Sequence, residues 1–244
     1  MRGWPQGVGR VVLPEVDSTN AEALRRAGES AGPVWIMALR QTAGRGRRGR
    51  AWTDPPGNFA ATLGMRLSEP PGSMALRSFT AALALAEALE TLTGMAGSLA
   101  LKWPNDVLLN GGKLSGILLE TGPNGFLALG IGVNLVSAPP GGDDAAFAPV
   151  SLLGETGLRV LPEQLLDALA PAFAGWEARL TSQGFAPVRA AFLARAVRVG
   201  QPVAARTVTE TREGIFETID ETGALVLATA AGRVAIPAAD IYFP

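Results

Sequence analysis

Gly44-Arg-Gly-Arg-Arg-Gly-Arg-Ala-Trp-Thr-Asp-Pro-Pro-Gly57 contains a Gly-x-Gly-x-x-Gly pattern, and its reading decides the fold. Taken literally, the pattern is the dinucleotide-binding turn of a doubly wound sheet, whose glycines open a helix that aims its N-terminus at a pyrophosphate. Here the residues that follow, Arg50-Ala-Trp-Thr-Asp-Pro-Pro-Gly57, cannot start a regular helix. The doubly wound fold is therefore rejected. What remains is a loop carrying Arg45, Arg47, Arg48 and Arg50 on a backbone that Gly44 and Gly46 let bend. Its guanidinium forks and exposed N–H groups can surround an anion, and Trp52 offers a flat face to a base. A solvated basic loop and a tether for single-stranded nucleic acid are the other readings of the same residues.

Outward from this loop, Val34–Leu39 reads as the strand that enters it and Asn58–Leu67 as the strand that leaves it. Val11–Leu13 is a further strand, and Asp17-Ser-Thr-Asn20 supplies N-cap chemistry for a helix over Ala21–Ala27. Ser73 is expected to cap a helix running to about Thr93, with Leu76, Phe79, Leu83, Ala86 and Leu89 on one face. Strands are expected at Leu99–Trp103, Val107–Leu109, Leu114–Glu120 and Gly125–Asn134, with Asn110-Gly111-Gly112 as a hairpin turn. Residues 137–149 read as a loop; helices follow at Leu161–Ser182, with Pro162 near the first position, and at Pro187–Ala196. After Gly200 short strands alternate with turns: Val203–Thr209, Gly214–Ile219, Leu225–Ala228 and Arg233–Ile236. The expected fold is α/β (α+β): a mixed central β-sheet packed with helices over residues 1–197, then a small β-barrel over 198–244.

The 244 residues are 48% hydrophobic and 18% charged, with net charge -1, so the positive charge of the loop is local and a bulk nucleic-acid partner is disfavoured. Cysteine and histidine are both absent, which excludes disulfides and thiol chemistry and removes the commonest general base and zinc ligand. Catalysis is left to Lys, Arg, Asp, Glu, Asn and backbone groups, with an oxygen-bound Mg²⁺ still allowed. No signal peptide is apparent, and the apolar run Ala81–Leu92 is too short to span a bilayer. A cytoplasmic protein with no membrane partner is expected.

Lys102-Trp-Pro-Asn-Asp106 ends a strand, where the Asp106 carboxylate can hold a hydrated Mg²⁺ and the Asn105 amide can orient a phosphate or ribose; an Asn-Asp turn beside a structural Trp is the plainer reading. Lys113 follows the hairpin turn, at the same end of the ribbon as Asp106, where a lysine is commonly a solvated charge. Gly116, in mid-strand, marks close approach by a ligand or another backbone. Asn134 ends an apolar strand as a ligand contact or a turn former.

In this order, Ser18-Thr-Asn20, Gln41 to Trp52, Lys102 to Asp106, Lys113-Leu-Ser-Gly-Ile-Leu-Leu-Glu120 and Gly130-Ile-Gly-Val-Asn134 closely resemble the biotin–protein ligase family over nearly the whole chain. The segment from Gly200 resembles that family's C-terminal SH3-like unit. The resemblance implies an enzyme that joins biotin to ATP, giving biotinyl-5′-AMP and pyrophosphate, and then transfers biotin to a lysine of a carboxylase's biotin carboxyl-carrier domain. It implies that Ser18, Thr19, Asn20 and Gln41 contact biotin, and that Gly44, Arg45, Gly46 and Arg47 fold over biotin and the adenylate phosphate. Trp52 would pack near adenine, Asp106 would stand near the metal and the reacting centre, and Lys113 would contact the biotin carboxylate and α-phosphate. Asn134 would contact the nucleotide, and Leu114 to Leu118 would line an apolar pocket around Gly116. Family members with an N-terminal DNA-binding domain also repress transcription; only 17 residues precede Ser18 here, so a ligase without a DNA partner is expected. Relatives often form homodimers, and a homodimer is one assembly the resemblance allows. A lipoate–protein ligase is the nearest enzymatic alternative, and an RNA-binding protein using the Arg/Gly loop is the alternative from another class.

Overall fold

The structure is a computed structural model that describes residues 3–29, 31–53, 55–95, 97–140, 147–207 and 209–242. Strands β1 (Gly9–Leu13), β2 (Val34–Ala38), β3 (Phe59–Arg66), β4 (Leu99–Lys102), β5 (Asp106–Leu109), β6 (Gly112–Thr121) and β7 (Phe126–Val133) form one seven-stranded sheet in the order β1-β2-β3-β7-β6-β5-β4. Only β1 and β2 pair in parallel; the other neighbours are antiparallel. The parallel pair needs a crossover, which helix α1 (Thr19–Arg25) supplies. Ser18 caps it as its residue type predicts, its Oγ accepting from the Ala21 N–H at 3.5 Å.

The two faces of the sheet differ because strand side chains alternate. Leu127, Leu129, Ile131 and Val133 of β7 enter the main core, together with Leu83, Leu85 and Leu89 of helix α3 (Arg77–Thr93) and Leu165, Leu166 and Leu169 of helix α5 (Pro162–Gln183). Phe126 and Ala128 face the other way, in a smaller cluster with Ala23 and Ala27. Further along that second face β7 carries only Gly130 and Gly132, and there other side chains and a cavity come down to the sheet.

The hairpin joining β5 and β6 turns at Asn110 (φ 49°) and Gly111 (φ 82°), the left-handed pair that an Asn-Gly turn requires. Pro162 occupies the start of α5. The expected cap at Ser73 is displaced: Pro71 starts a short helix α2 (Pro71–Ala75) with Ser73 inside it, and α3 begins after Leu76. Of the expected loop over residues 137–149, positions 141–146 lie outside the described residues. Its end is fixed, because the Lys113 N–H donates to the Ala148 carbonyl at 2.8 Å and the Val150 N–H to the Lys113 carbonyl at 3.0 Å. A one-turn helix α4 (Leu152–Thr156) follows and α6 (Phe185–Leu193) closes the helical layer; the strand expected at Val203–Thr209 crosses residue 208, which lies outside the described residues.

Strands β8 (Pro202–Arg206), β9 (Thr211–Ile219), β10 (Leu225–Thr229), β11 (Gly232–Ile236) and β12 (Asp240–Tyr242) form a second, antiparallel sheet in the order β11-β10-β9-β8-β12. It docks on the N-terminal end of α3. The Trp103 indole N–H donates to the Gly223 carbonyl at 2.9 Å, and a side chain at Gly223 would lie 3.0 Å from the Phe79 ring. Trp103→Phe leaves that buried carbonyl unpaired and is expected to lower unfolding free energy by about 1–3 kcal/mol, read from urea melts.

Candidate functional site

Above Gly130 and Gly132 lies a cavity of about 540 Å³, within the range of small-molecule sites. A methyl group on Gly130 would collide with Asn20 Oδ1; one on Gly132 would lie 2.5 Å from Trp52 Cε2, and one on Gly116 3.2 Å from Trp52 Cζ3. The glycines therefore let Asn20 and the Trp52 indole rest directly on the sheet.

Asn20 is fixed at both ends of its amide. Thr62 Oγ1 donates to its Oδ1 at 2.6 Å, and its Nδ2 donates to Glu120 Oε2 at 2.8 Å and to the Leu118 carbonyl at 3.3 Å. Gln41 is set by the Thr19 N–H, which donates to its Oε1 at 2.8 Å. The start of α1 and the segment after β2 thus form one polar wall.

A β-bulge builds the charged wall. Asp106 pairs with Gly116 and Val107 with Ser115, but Leu108 pairs with Lys113, so Leu114 is an extra residue in β6. Leu114 turns into the helix-side core, and neither it nor the buried Ser115 joins Gly116, Ile117 and Leu118 in the lining that the resemblance implies for Leu114 to Leu118. The inserted residue reverses the alternation, which brings Lys113 to the face that carries Gly116 and Asp106. Lys113 Nζ stands 2.8 Å from Asp106 Oδ1, and Lys102 Nζ 3.7 Å from Asp106 Oδ2. Burial pushes the Lys102 ammonium below the ordinary lysine range, the Asp106 carboxylate opposes that shift, and the Lys113 charge adds to it.

The Arg/Gly loop is a hairpin. The Trp52 N–H donates to the Gly44 carbonyl at 2.9 Å and the Gly46 N–H to the Arg50 carbonyl at 2.7 Å. A side chain at Gly44 would lie 2.6 Å from the Trp52 carbonyl, so Gly44 pinches the hairpin base without lining the cavity. Arg48 (φ 56°) and Gly49 (φ 73°) make the tip. Arg47 donates to Asn105 Oδ1 at 3.3 Å, while Arg45 Nη2 is 3.7 Å from Glu120 Oε1. Burial pushes the Arg47 guanidinium down, opposed by Asp240 and Asp106. Among the described residues, five cationic side chains (Arg45, Arg47, Arg50, Lys102, Lys113) line the cavity with two carboxylates, Asp106 and Asp240. Such a surplus suits a polyanion.

Ser18, Thr19, Asn20, Gln41, Arg45, Gly46, Arg47, Trp52, Asn105, Asp106, Lys113, Gly116 and Asn134 all line this single cavity. Thr62, Phe147 and Asp240 carry no sequence signal as site residues, since their part in the site comes from pairing between distant segments. Two buried valences remain open: Asn134 Oδ1 and Trp52 Nε1 have no hydrogen-bond partner among the described residues.

A mixed sheet with a cationic, glycine-floored cavity and a small appended β-sheet defines the class. The chain belongs to the biotin/lipoate A/B protein ligase family, whose model matches residues 12–135; a biotin protein ligase C-terminal domain model matches residues 199–243. It is 55% identical over 238 residues to a biotin–[acetyl-CoA-carboxylase] ligase of Paracoccus denitrificans, covering 95% of this chain and 99% of that one. It is 33% identical to the corresponding ligase of Mycobacterium tuberculosis, covering 98% of this chain and 89% of the relative. In fold it is similar to the biotin protein ligase of Aquifex aeolicus in complex with biotin and ATP (TM-score 0.82, 24% identity, covering 96% of this chain and 97% of that one).

Gly132→Ala is expected to lift the Trp52 indole off the sheet. The check is tryptophan emission, corrected with a Trp52→Phe variant: a shift to the red at unchanged far-UV circular dichroism is the expected outcome.

Proposed function

We propose that the chain activates biotin with ATP and transfers it to a lysine of a biotin carboxyl-carrier domain. The observation that carries this reading is the convergence of Arg45, Arg47 and Lys113 on one cavity, in a chain 55% identical to a biotin–[acetyl-CoA-carboxylase] ligase. The match of residues 199–243 to a biotin protein ligase C-terminal domain favours biotin over lipoate.

Biotin's carboxyl group, with a pKa of about 4.3, is already ionised near neutrality. Its oxygen attacks the α-phosphate of ATP, the bond to the β-phosphate breaks, and pyrophosphate leaves with its charge. No base is needed, which suits a chain without histidine. The barrier is the approach of one anion to a polyanion, and Lys113, Arg45 and Arg47 offset it by fixed positive charge. Mg²⁺ takes most of its ligands from phosphates and water. Asp106 is the carboxylate that would hold it here, supplying charge neutralisation at the phosphates. Asn134 Oδ1, an open acceptor, fits an amino or hydroxyl donor of the nucleotide. Thr19, Asn20, Gln41 and Ser18 supply the fixed polar wall for the ureido ring. In the second step the acceptor amine attacks the mixed anhydride carbonyl and AMP leaves; Asp106 orients the incoming lysine or accepts its proton.

Biotin-dependent exchange of pyrophosphate into ATP by the purified chain tests the reading. Exchange that needs lipoate instead, or no exchange with either acid, overturns it. Lys113→Ala is expected to slow the first step about a hundredfold, equivalent to roughly 3 kcal/mol. Asp106→Ala is expected to slow transfer from preformed adenylate; transfer at the wild-type rate would remove Asp106 from the second step.

A further inference from the structure

Asp240 begins β12, remote in sequence from the arginine hairpin, yet its carboxylate is held by that hairpin. Arg48 Nη1 donates to Oδ2 at 2.9 Å, and Arg50 Nη2 donates to both oxygens at 3.1 Å. Arg47 Nη1 stands 3.8 Å from Oδ1. The backbone beside Asp240 joins in. Arg47 Nη1 also donates to the Ala239 carbonyl at 3.4 Å, and Arg48 Nη2 to the Arg206 carbonyl at 3.2 Å. Arg206 is the residue paired with Asp240 across β8 and β12, so both carbonyls belong to one seam of the C-terminal sheet.

The arrangement is directional. Main-chain bonds of Gly44 and Gly46 close the base of the hairpin, while its tip, where Arg48 takes a left-handed conformation, is held by this seam. Asp240 is only 16% exposed in its side chain, against 23%, 33% and 61% for Arg47, Arg48 and Arg50, so the carboxylate is the most enclosed member of the cluster. Three guanidiniums around one carboxylate keep a positive surplus on the cavity side, so the contact can hold the tip without cancelling the charge that faces the ligand.

We propose that Asp240 is a positioning residue: an electrostatic latch through which the C-terminal sheet holds the arginine hairpin shut over the cavity and slows escape of the activated intermediate. The retention half of this proposal rests on the cavity forming biotinyl adenylate; the latch itself does not. It gives the C-terminal sheet a task in the reaction cycle beyond capping the core.

Two measurements on the full chain test it. In the ligand-free protein, Asp240→Asn is expected to speed amide hydrogen exchange at Gly46 and Trp52. Raised salt should do the same to the wild type while leaving the variant little changed, because the contact is ionic and partly open to solvent. In the loaded protein, adenylate formed from biotin and labelled ATP with pyrophosphatase present should leave Asp240→Asn roughly tenfold faster than the wild type. Asp240→Glu should restore part of the retention. Arg48→Gln, on the exposed tip, should act in the same direction, and the double variant should be no leakier than the worse single one. Hairpin exchange unchanged in both single variants overturns the latch. Faster exchange with unchanged adenylate release overturns its role in retention, as does an additive double variant, which would mark general loosening of the C-terminal sheet. A wild type that makes no adenylate but shows the exchange result leaves the latch standing and removes the functional reading beneath its retention role.

Discussion

The alternation of side chains along β6 and β7 governs where this protein can bind anything. On the helix side both strands present large aliphatic groups, and α3 and α5 bury them. On the other side the chain shrinks from Phe126 and Ala128 to Gly130 and Gly132. The large end of this gradient seats α1, and the small end leaves a floor on which Asn20 and Trp52 lie directly. The gradient seats the body of α1 on the large half, lets its first turn reach Gly130 through Asn20, and leaves room for a cavity beside it.

Charge in that cavity is arranged by division of labour between carboxylates. Asp106 sits between Lys102 and Lys113 at the sheet, and Glu120 joins the Asn20 amide to Arg45. Each carboxylate holds cations in place without neutralising the group as a whole, so that positive potential remains for a polyanionic ligand. Taking such groups out of water has a cost: burial, with the Lys113 charge adding to it, lowers the affinity of Lys102 for its proton.

Much of the fold was legible in the sequence because its signals are local. Asn110-Gly111 dictates its turn through two left-handed residues, Pro162 fits the first position of α5, and the apolar runs of β2, β3 and β7 sit where the periodicity places them. The misses have equally local causes. Ser73 is a sound cap, but Pro71 begins a helix before it, and three residues of β12 are too few to show a period. The site was legible in its parts: Arg45, Arg47 and Lys113 are conspicuous charges beside glycines, and Asp106 stands two residues after Pro104. What no sequence pattern carries is pairing across the molecule. Leu114 looks like any other member of an apolar strand until Lys113 is seen opposite Leu108, and Glu120 and Thr62 acquire their roles only through Asn20.

The bulge at Leu114 also bears on how this segment can change over evolutionary time. Between Asp106 and Gly116 the strand parity is set by a single supernumerary residue. Losing that one residue would leave a regular ladder in which Lys113 still faces Leu108 and keeps its side of the sheet, whereas gaining one without a second bulge would swing the Lys113 ammonium into the aliphatic layer beneath the sheet. Length drift in this ribbon is therefore restricted to steps that a bulge can absorb, or to the tip beyond Leu109 and Gly112, where added residues extend the turn and leave the two faces untouched.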